Sequence, residues 1–72
     1  MHVVLVNRET NQRHEIPDCE AIALVDLDHQ PHAPQYYVPN ARQQQSATAV
    51  IITRRRSRPL TYKTALWELR KD

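Results

Sequence analysis

The chain has its strongest strand pattern at residues 47–53, Ala-Thr-Ala-Val-Ile-Ile-Thr. If this stretch is extended, side chains alternate between two faces, with Ala47, Ala49 and Ile51 on one and Thr48, Val50 and Ile52 on the other. Val, Ile and Thr are enriched in strands because their branched side chains pack well on a pleated surface. The stretch therefore predicts a strand, and the remaining elements are inferred outward from it.

Three segments nearer the N-terminus are also predicted as strands. Met1–Asn7 contains a continuous apolar run, which favours burial on both faces or an inner strand covered by a helix. Gln12–Ile16 is expected to return as the second arm of a hairpin, ended by Pro17. Residues 18–27 fit either a short helix with Asp18 as N-cap or a buried strand at 21–27, and periodicity alone does not separate the two.

The middle of the chain is predicted to hold loops and one short strand. Residues 28–34 contain two prolines and are expected to form a loop. Residues 35–38 read as a short strand, and 41–46 as an exposed connection or one helical turn. The chain has no glycine, so positive φ angles should fall to asparagine or aspartate. The candidates are Asn7, Asn11, Asp18, Asp28 and Asn40.

The C-terminal segment has helical spacing. Tyr62, Ala65, Leu66 and Leu69 follow an i, i+3, i+4, i+7 pattern, with Thr61 as a suitable N-cap. Trp67 lies off this stripe, about 140° from Tyr62 at 3.6 residues per turn. The expected fold class is therefore α+β: a single domain spanning residues 1–72, with a small antiparallel sheet of three to four strands and a C-terminal α-helix.

Composition excludes several classes of function. The single cysteine, Cys19, allows no internal disulfide and fits a reducing, cytosolic setting. No apolar run is long enough to cross a bilayer, so no membrane is expected as a partner. The absence of glycine rules out Walker and Rossmann phosphate loops. Pairs such as Asp26 with Asp28, or Cys19 with His14, lack a pocket or oxyanion hole, so the chain is expected not to be an enzyme and to need no cofactor.

Four residues raise the question of a zinc site: His14, Cys19, His29 and His32. Their order is irregular, and the usual paired Cys-x-x-Cys arms are missing. The sequence therefore predicts no metal site.

Charge is distributed unevenly along the chain. Residues 1–40 contain two arginines and six acidic residues, a net charge of −4, whereas residues 41–72 contain eight basic and two acidic residues, a net charge of +6. Such asymmetry indicates a charged partner, nucleic acid above all, unless the halves neutralise each other in the fold.

The basic residues expected to contact nucleic acid or an acidic protein surface are Arg42, Arg54, Arg55, Arg56 and Arg58. The alternative is that they form a solvated loop that keeps the neighbouring apolar strand from aggregating.

Aromatic and apolar residues supply candidates for a protein interface. Adjacent tyrosines on a strand point to opposite faces, so of Tyr36 and Tyr37 at most one is expected to pack inward. Trp67, off the helical stripe, fits either an interface or the edge of a small core. An exposed strand edge, either at Val3–Asn7 or at Gln35–Val38, would suit pairing with a partner's sheet. The expected partner-binding residues are Val3, Val4, Leu5, Tyr36, Tyr37 and Trp67.

The small size, the opening apolar strand and the Arg-rich C-terminal unit resemble the small host-takeover proteins of lytic phages. Among these, the chain is most similar to the RNA-polymerase-binding transcription regulators of lytic Xanthomonas phages. The resemblance implies binding to host RNA polymerase, inhibition of initiation by interference with the σ factor, and antitermination near the RNA exit channel. From the residues alone, a direct nucleic-acid-binding module or an inhibitor of another host protein remains open. The free protein is expected to be a monomer.

Overall fold

The computed structural model describes all 72 residues and contains six strands and one short helix. In chain order these elements are β1 (Val3–Asn7), β2 (Arg13–Ile16), β3 (Cys19–Val25), α1 (Ala41–Gln45), β4 (Ala49–Arg54), β5 (Leu60–Lys63) and β6 (Trp67–Lys71). The predictions of strands at 1–7, 12–16 and 47–53 are confirmed. Of the alternatives left open, the structure has the strand within residues 18–27 and the helical turn within 41–46.

The strands form two three-stranded antiparallel sheets. Sheet I has the order β2-β1-β6, and Leu5 of β1 lies between His14 and Leu69. Sheet II has the order β3-β4-β5, and Val50 of β4 lies between Leu24 and Tyr62. The two most apolar runs of the sequence thus become the two central strands, where both edges are paired and burial is greatest.

One hydrophobic core joins the two sheets. Its eight buried residues come from strands of both sheets and face one another between them. They are Val3, Leu5, Ile16, Cys19, Ile22, Val50, Ile52 and Leu69.

The opposite face of β1 is buried as well. Val4 and Val6 point away from the core but are only 1% and 8% exposed. Charged residues lie beside them on the flanking strands: Glu15 and Arg70 are in register with Val4, and Glu68 is in register with Val6. The aliphatic stems of long charged residues can cover apolar surface in this way. Burial of β1 on both faces is thus confirmed, without a covering helix.

The predicted C-terminal helix is wrong, and with it the α+β class: the fold is mostly β, and its only helix has five residues. Leu60 and Tyr62 of β5 pack against the core, as do Trp67 and Leu69 of β6. The apolar residues that alternate along β5 and β6 are separated by a turn at residues 64–66. Because of this turn, their combined spacing resembles one helical stripe. A lone helix of this length is marginally stable, whereas two strands provide pairing for both β4 and β1.

Residues 26–48 cover one edge of each sheet. Gln35 exchanges two backbone hydrogen bonds with Ile22 at the free edge of β3, at 2.8 and 2.9 Å. The predicted strand at 35–38 is thus reduced to a single bridge. At the free edge of β6, the side chain of Gln44 pairs with the backbone of Leu69. The outer edges of β2 and β5 have no strand beside them.

Positive φ angles occur at Asn11 (62°) and His29 (60°). Asn11 was among the asparagine and aspartate candidates, whereas His29 was not. No helix in the structure is long and apolar enough to span a membrane.

Candidate nucleic-acid interface

The basic residues 54–58 form the connection between β4 and β5, here called the basic hairpin. Arg54, the last residue of β4, is half-buried. It donates hydrogen bonds from Nε and Nη2 to the carbonyl oxygen of Arg58, at 3.1 and 2.8 Å. Arg54 thereby closes the hairpin, and Arg55, Arg56 and Arg58 remain exposed at its tip.

No carboxylate forms an ion pair with the hairpin. Every ion pair within 4.0 Å involves other residues, such as Arg8 with Glu68 and Arg70 with Glu68. Asp18 lies close by, but it contacts the hairpin through its backbone oxygen, which accepts a hydrogen bond from the Arg55 amide at 3.1 Å. Asp18 and Glu20 line the same surface depression as Arg55 but form no ion pair with it. Three guanidinium groups are free to bind an anion such as phosphate.

The loop between β3 and α1 presents two exposed tyrosines. Tyr36 is 77% exposed and Tyr37 is 58% exposed. At most one of the two was expected to pack inward, and neither does, because the chain bends directly after Gln35 instead of continuing as the strand expected at 35–38. Both rings are therefore available to a partner.

The loop that carries the tyrosines runs along the β3 edge of sheet II toward the end that bears the basic hairpin. The loop runs antiparallel to β3, with Pro31 beside Val25 and Gln35 beside Ile22. It thus approaches the end of β3 at which Cys19 is in register with Arg54. Gln35 pairs with Ile22, which pairs with Ile52 of β4, so at about 4.8 Å per strand the backbones of Gln35 and Ile52 are about 10 Å apart. Arg54 is two residues further along β4.

Arg42 is not part of this surface. It lies exposed on α1, just before the start of β4, whereas the basic hairpin follows the end of β4. The two ends of this six-residue strand are about 17 Å apart. Arg42 instead borders a shallow depression with Leu24 and His32.

Val3, Val4 and Leu5 are buried at 0%, 1% and 0% exposure. Their strand is central, because β2 and β6 pair with its two edges. The idea of an exposed edge at Val3–Asn7 is therefore corrected, and these three side chains do not reach a partner from the folded state.

Trp67 packs at the edge of the core in a cluster with His14 and Tyr62. Its ring centroid is 4.5 Å from that of His14 and 5.3 Å from that of Tyr62, and His14 Nδ1 lies 3.3 Å from the Tyr62 hydroxyl. Burial raises the pKa of Tyr62, and the positive charge of Arg54 partly opposes that shift. Of the two roles open to Trp67, the structure shows the packing role and places the ring on a strand.

Sheet II has an apolar outer face that the sequence did not reveal. Ala23, Val25, Ala49 and Ile51 alternate with core residues along β3 and β4, so they point away from the core. All four are only half-buried. Thr61 and Lys63 of β5 extend this face. Sequence reasoning missed it because β5 was assigned to a helix.

The four residues considered for zinc lie in different surroundings. His14 belongs to the aromatic cluster, and Cys19 is buried at the start of β3, where burial raises the pKa of its thiol. His29 and His32 lie on the exposed loop, where His32 Nε2 is 3.3 Å from a carboxylate oxygen of Asp26.

A different group, His2, Glu15 and Asp72, lies within ligand distance of one another on the exposed surface. The two ring nitrogens of His2 face different carboxylates, Nε2 toward Glu15 at 3.3 Å and Nδ1 toward Asp72 at 3.2 Å. The imidazole therefore bridges two carboxylates instead of joining them around a shared ion.

Comparison with family models, curated proteins and solved structures finds no match to this chain.

Proposed function

We propose that this protein is a non-catalytic regulator of transcription. In this proposal it binds host RNA polymerase, inhibits initiation by interfering with the σ factor and promotes antitermination. The basic hairpin contacts the nucleic acid held by the enzyme. The polymerase itself comes from the resemblance of the sequence to phage regulators.

The observation that carries the nucleic-acid contact is that the exposed arginines of the basic hairpin form no ion pair. Arg55, Arg56 and Arg58 are exposed on one short loop, and no carboxylate lies within 4.0 Å of them. A guanidinium group matches phosphate geometry with two parallel hydrogen bonds and stays charged at physiological pH. Arg54 holds the loop closed, so these groups are presented from an ordered base.

A protein partner is supported by the outer face of sheet II. Small, half-buried apolar side chains such as Ala49 and Ile51 lie at the centre of this face, and Lys63 is at its β5 rim. Sheet I shows the contrast, because charged residues flank and cover Val4 and Val6 on its outer face. Exposed apolar patches rimmed by polar residues mark interaction sites in soluble proteins.

Binding to polymerase is tested by capturing purified host core enzyme and holoenzyme on immobilised protein. Thr61→Asp places a charge on the exposed rim of the sheet II face beside Ile51 and should weaken capture. Gln12→Asp introduces the same charge at an exposed residue directly before β2 of sheet I and serves as the matched control. Trp67 fluorescence verifies that each variant is folded. Failure to capture polymerase in either form would reject this role and leave another host protein as the target.

The regulatory effect is tested by single-round transcription from a σ-dependent promoter and by read-through of a terminator. Wild-type protein should reduce promoter-specific transcripts and increase read-through. The triple variant Arg55→Ala, Arg56→Ala, Arg58→Ala should still be captured by polymerase but lose most of the read-through. An unchanged effect on read-through would show that the basic hairpin does not act on nucleic acid there.

The second candidate is a direct nucleic-acid-binding module that needs no polymerase, which the same unpaired arginines favour. Three phosphate contacts predict a slope of about −2 to −3 for log affinity against log salt with naked nucleic acid. The triple alanine variant should flatten that slope. Affinity that does not change with salt would exclude this candidate.

A further inference from the structure

We infer that the nucleic acid bound at the basic hairpin is single-stranded, with its bases stacked on Tyr36 and Tyr37. This inference rests on the nucleic-acid contact proposed above and specifies the ligand of that same surface. It combines the exposed tyrosines with the unpaired arginines as two halves of one site.

The first step is the exposure of the tyrosines. Tyr36 and Tyr37 are 77% and 58% exposed, although a fold with a small core gains by burying aromatic area. The core here is built from aliphatic residues and Cys19, and both tyrosines are left out of it. Two neighbouring exposed rings provide a platform for stacking.

The second step is the position of the loop that carries them. The carboxylate of Asp26 organises the beginning of this loop by accepting hydrogen bonds from the backbone N–H groups of Asp28 and Gln30, each at 2.9 Å. At the other end of the loop, Gln35 is fastened to β3 by two backbone hydrogen bonds. The tyrosines therefore follow an anchored residue and lie near the end of sheet II at which the basic hairpin begins.

The third step is the chemistry of the ligand. Aromatic rings stack on bases that are unpaired and splayed, while arginines hold the phosphates between them. The bases of a duplex are already stacked on one another and present only their edges. By strand spacing and rise, the backbone of Gln35, which precedes the tyrosines, lies about 12 Å from that of Arg54 at the base of the hairpin. A single strand of a few nucleotides can span both, which suits the lower end of known single-strand sites.

The test compares fluorescence anisotropy for a labelled single-stranded oligonucleotide and the corresponding duplex, at fixed low salt. The oligonucleotide is longer than known single-strand binding sites, which cover about 4–16 nucleotides. Tyr36→Ala with Tyr37→Ala should weaken single-strand binding by at least about fivefold, the low end for losing one stacked base. Tyr36→Phe with Tyr37→Phe should retain the affinity, because the ring face is kept. Leu27→Ala, at a side chain 73% exposed on the same loop, is the matched control and should have no effect.

The outcomes separate this inference from the proposed function. Equal affinity of the wild-type protein for single strand and duplex would overturn the inference, as would unchanged single-strand binding by the double alanine variant. In both cases, the proposed contact between the hairpin and nucleic acid would still stand if replacing Arg55, Arg56 and Arg58 by alanine abolished binding. If the wild-type protein bound neither the single strand nor the duplex, both the single-strand inference and the nucleic-acid contact would be overturned. That result would point to an acidic protein surface as the partner of the hairpin.

Discussion

Replacing Gln44 by alanine should destabilise this fold more than any other change to an uncharged polar side chain on its short helix. Gln44 is 3% exposed, and its amide makes three hydrogen bonds. Nε2 donates to the carbonyl oxygens of Pro39 and Leu69 at 2.8 and 2.9 Å, and Oε1 accepts from the Leu69 amide at 3.0 Å. The side chain therefore takes the place of a neighbouring strand at the edge of β6.

The magnitude follows from those three bonds. Each contributes about 1 kcal/mol net, so their loss should lower the free energy of unfolding by about 3 kcal/mol. A domain of this length has a total of about 4–11 kcal/mol, so the loss is a large fraction of it. Urea denaturation followed by Trp67 fluorescence measures the change, and at about 1–3 kcal/mol/M the midpoint should fall by at least about 1 M.

Two further variants test whether the Gln44 side chain holds the edge of β6. Gln45→Ala, at an exposed neighbour on α1, should change the free energy of unfolding by less than about 0.5 kcal/mol. Gln44→Glu keeps the acceptor for the Leu69 amide but loses both donors. Burial should raise the pKa of the introduced carboxyl, so its stability should recover as pH falls and the carboxyl regains a proton. If Gln44→Ala and Gln45→Ala unfold at the same urea concentration, Gln44 does not hold the edge of β6.

Burial raises the pKa of the Cys19 thiol, so iodoacetamide should modify it much more slowly in the native protein than in urea, and equal rates would contradict its burial. A hydrogen bond from Arg70 lowers the pKa of Glu68, so the associated stability is present above the ordinary carboxyl pKa and is lost as pH falls through the lowered value. Melting temperatures at acid pH should therefore depend less on pH in Glu68→Gln, and parallel curves would argue against this. Leu69→Ala removes a core side chain that is 3% exposed and should reduce the free energy of unfolding by about 2–5 kcal/mol. Leu27→Ala, at an exposed leucine, should change it by less than about 0.5 kcal/mol, and similar losses in the two variants would show that Leu69 is not in the core.

The strands β1, β2 and β4 could be predicted because local pattern and tertiary role agree there, whereas residues 18–27 stayed undecided and the strand expected at 35–38 is a single bridge. β1 and β4 are continuous apolar runs, and such runs become central strands wherever they are placed. Asn11 supplies the positive φ angle of the β1–β2 turn, as a chain without glycine requires. The short helix at 41–45 begins at Asn40, whose side chain accepts from the Gln43 amide in a capping box.

The C-terminal segment could not be predicted because its spacing fits two structures. Tyr62 and Leu69 lie on one helical stripe, and they also face inward on two strands joined by a turn. Only the unpaired edges of β1 and β4 favour the strands, and those edges exist only once the rest of the fold is in place. Secondary-structure propensity is a weak prior beside such long-range pairing.

Residues 54–58 could be assigned to a charged connection before the fold was known, because a run of arginines after the strongest strand pattern stays in solvent in any arrangement of the strands. Tertiary structure alone decided which groups share that surface. It left the hairpin without carboxylate partners, brought Tyr36 and Tyr37 to the same sheet and moved Arg42 to the far end of β4. It also buried Val3, Val4 and Leu5, because a central strand has no free edge. Charge and hydrophobicity are properties of residues, whereas proximity depends on pairing between strands far apart in the chain.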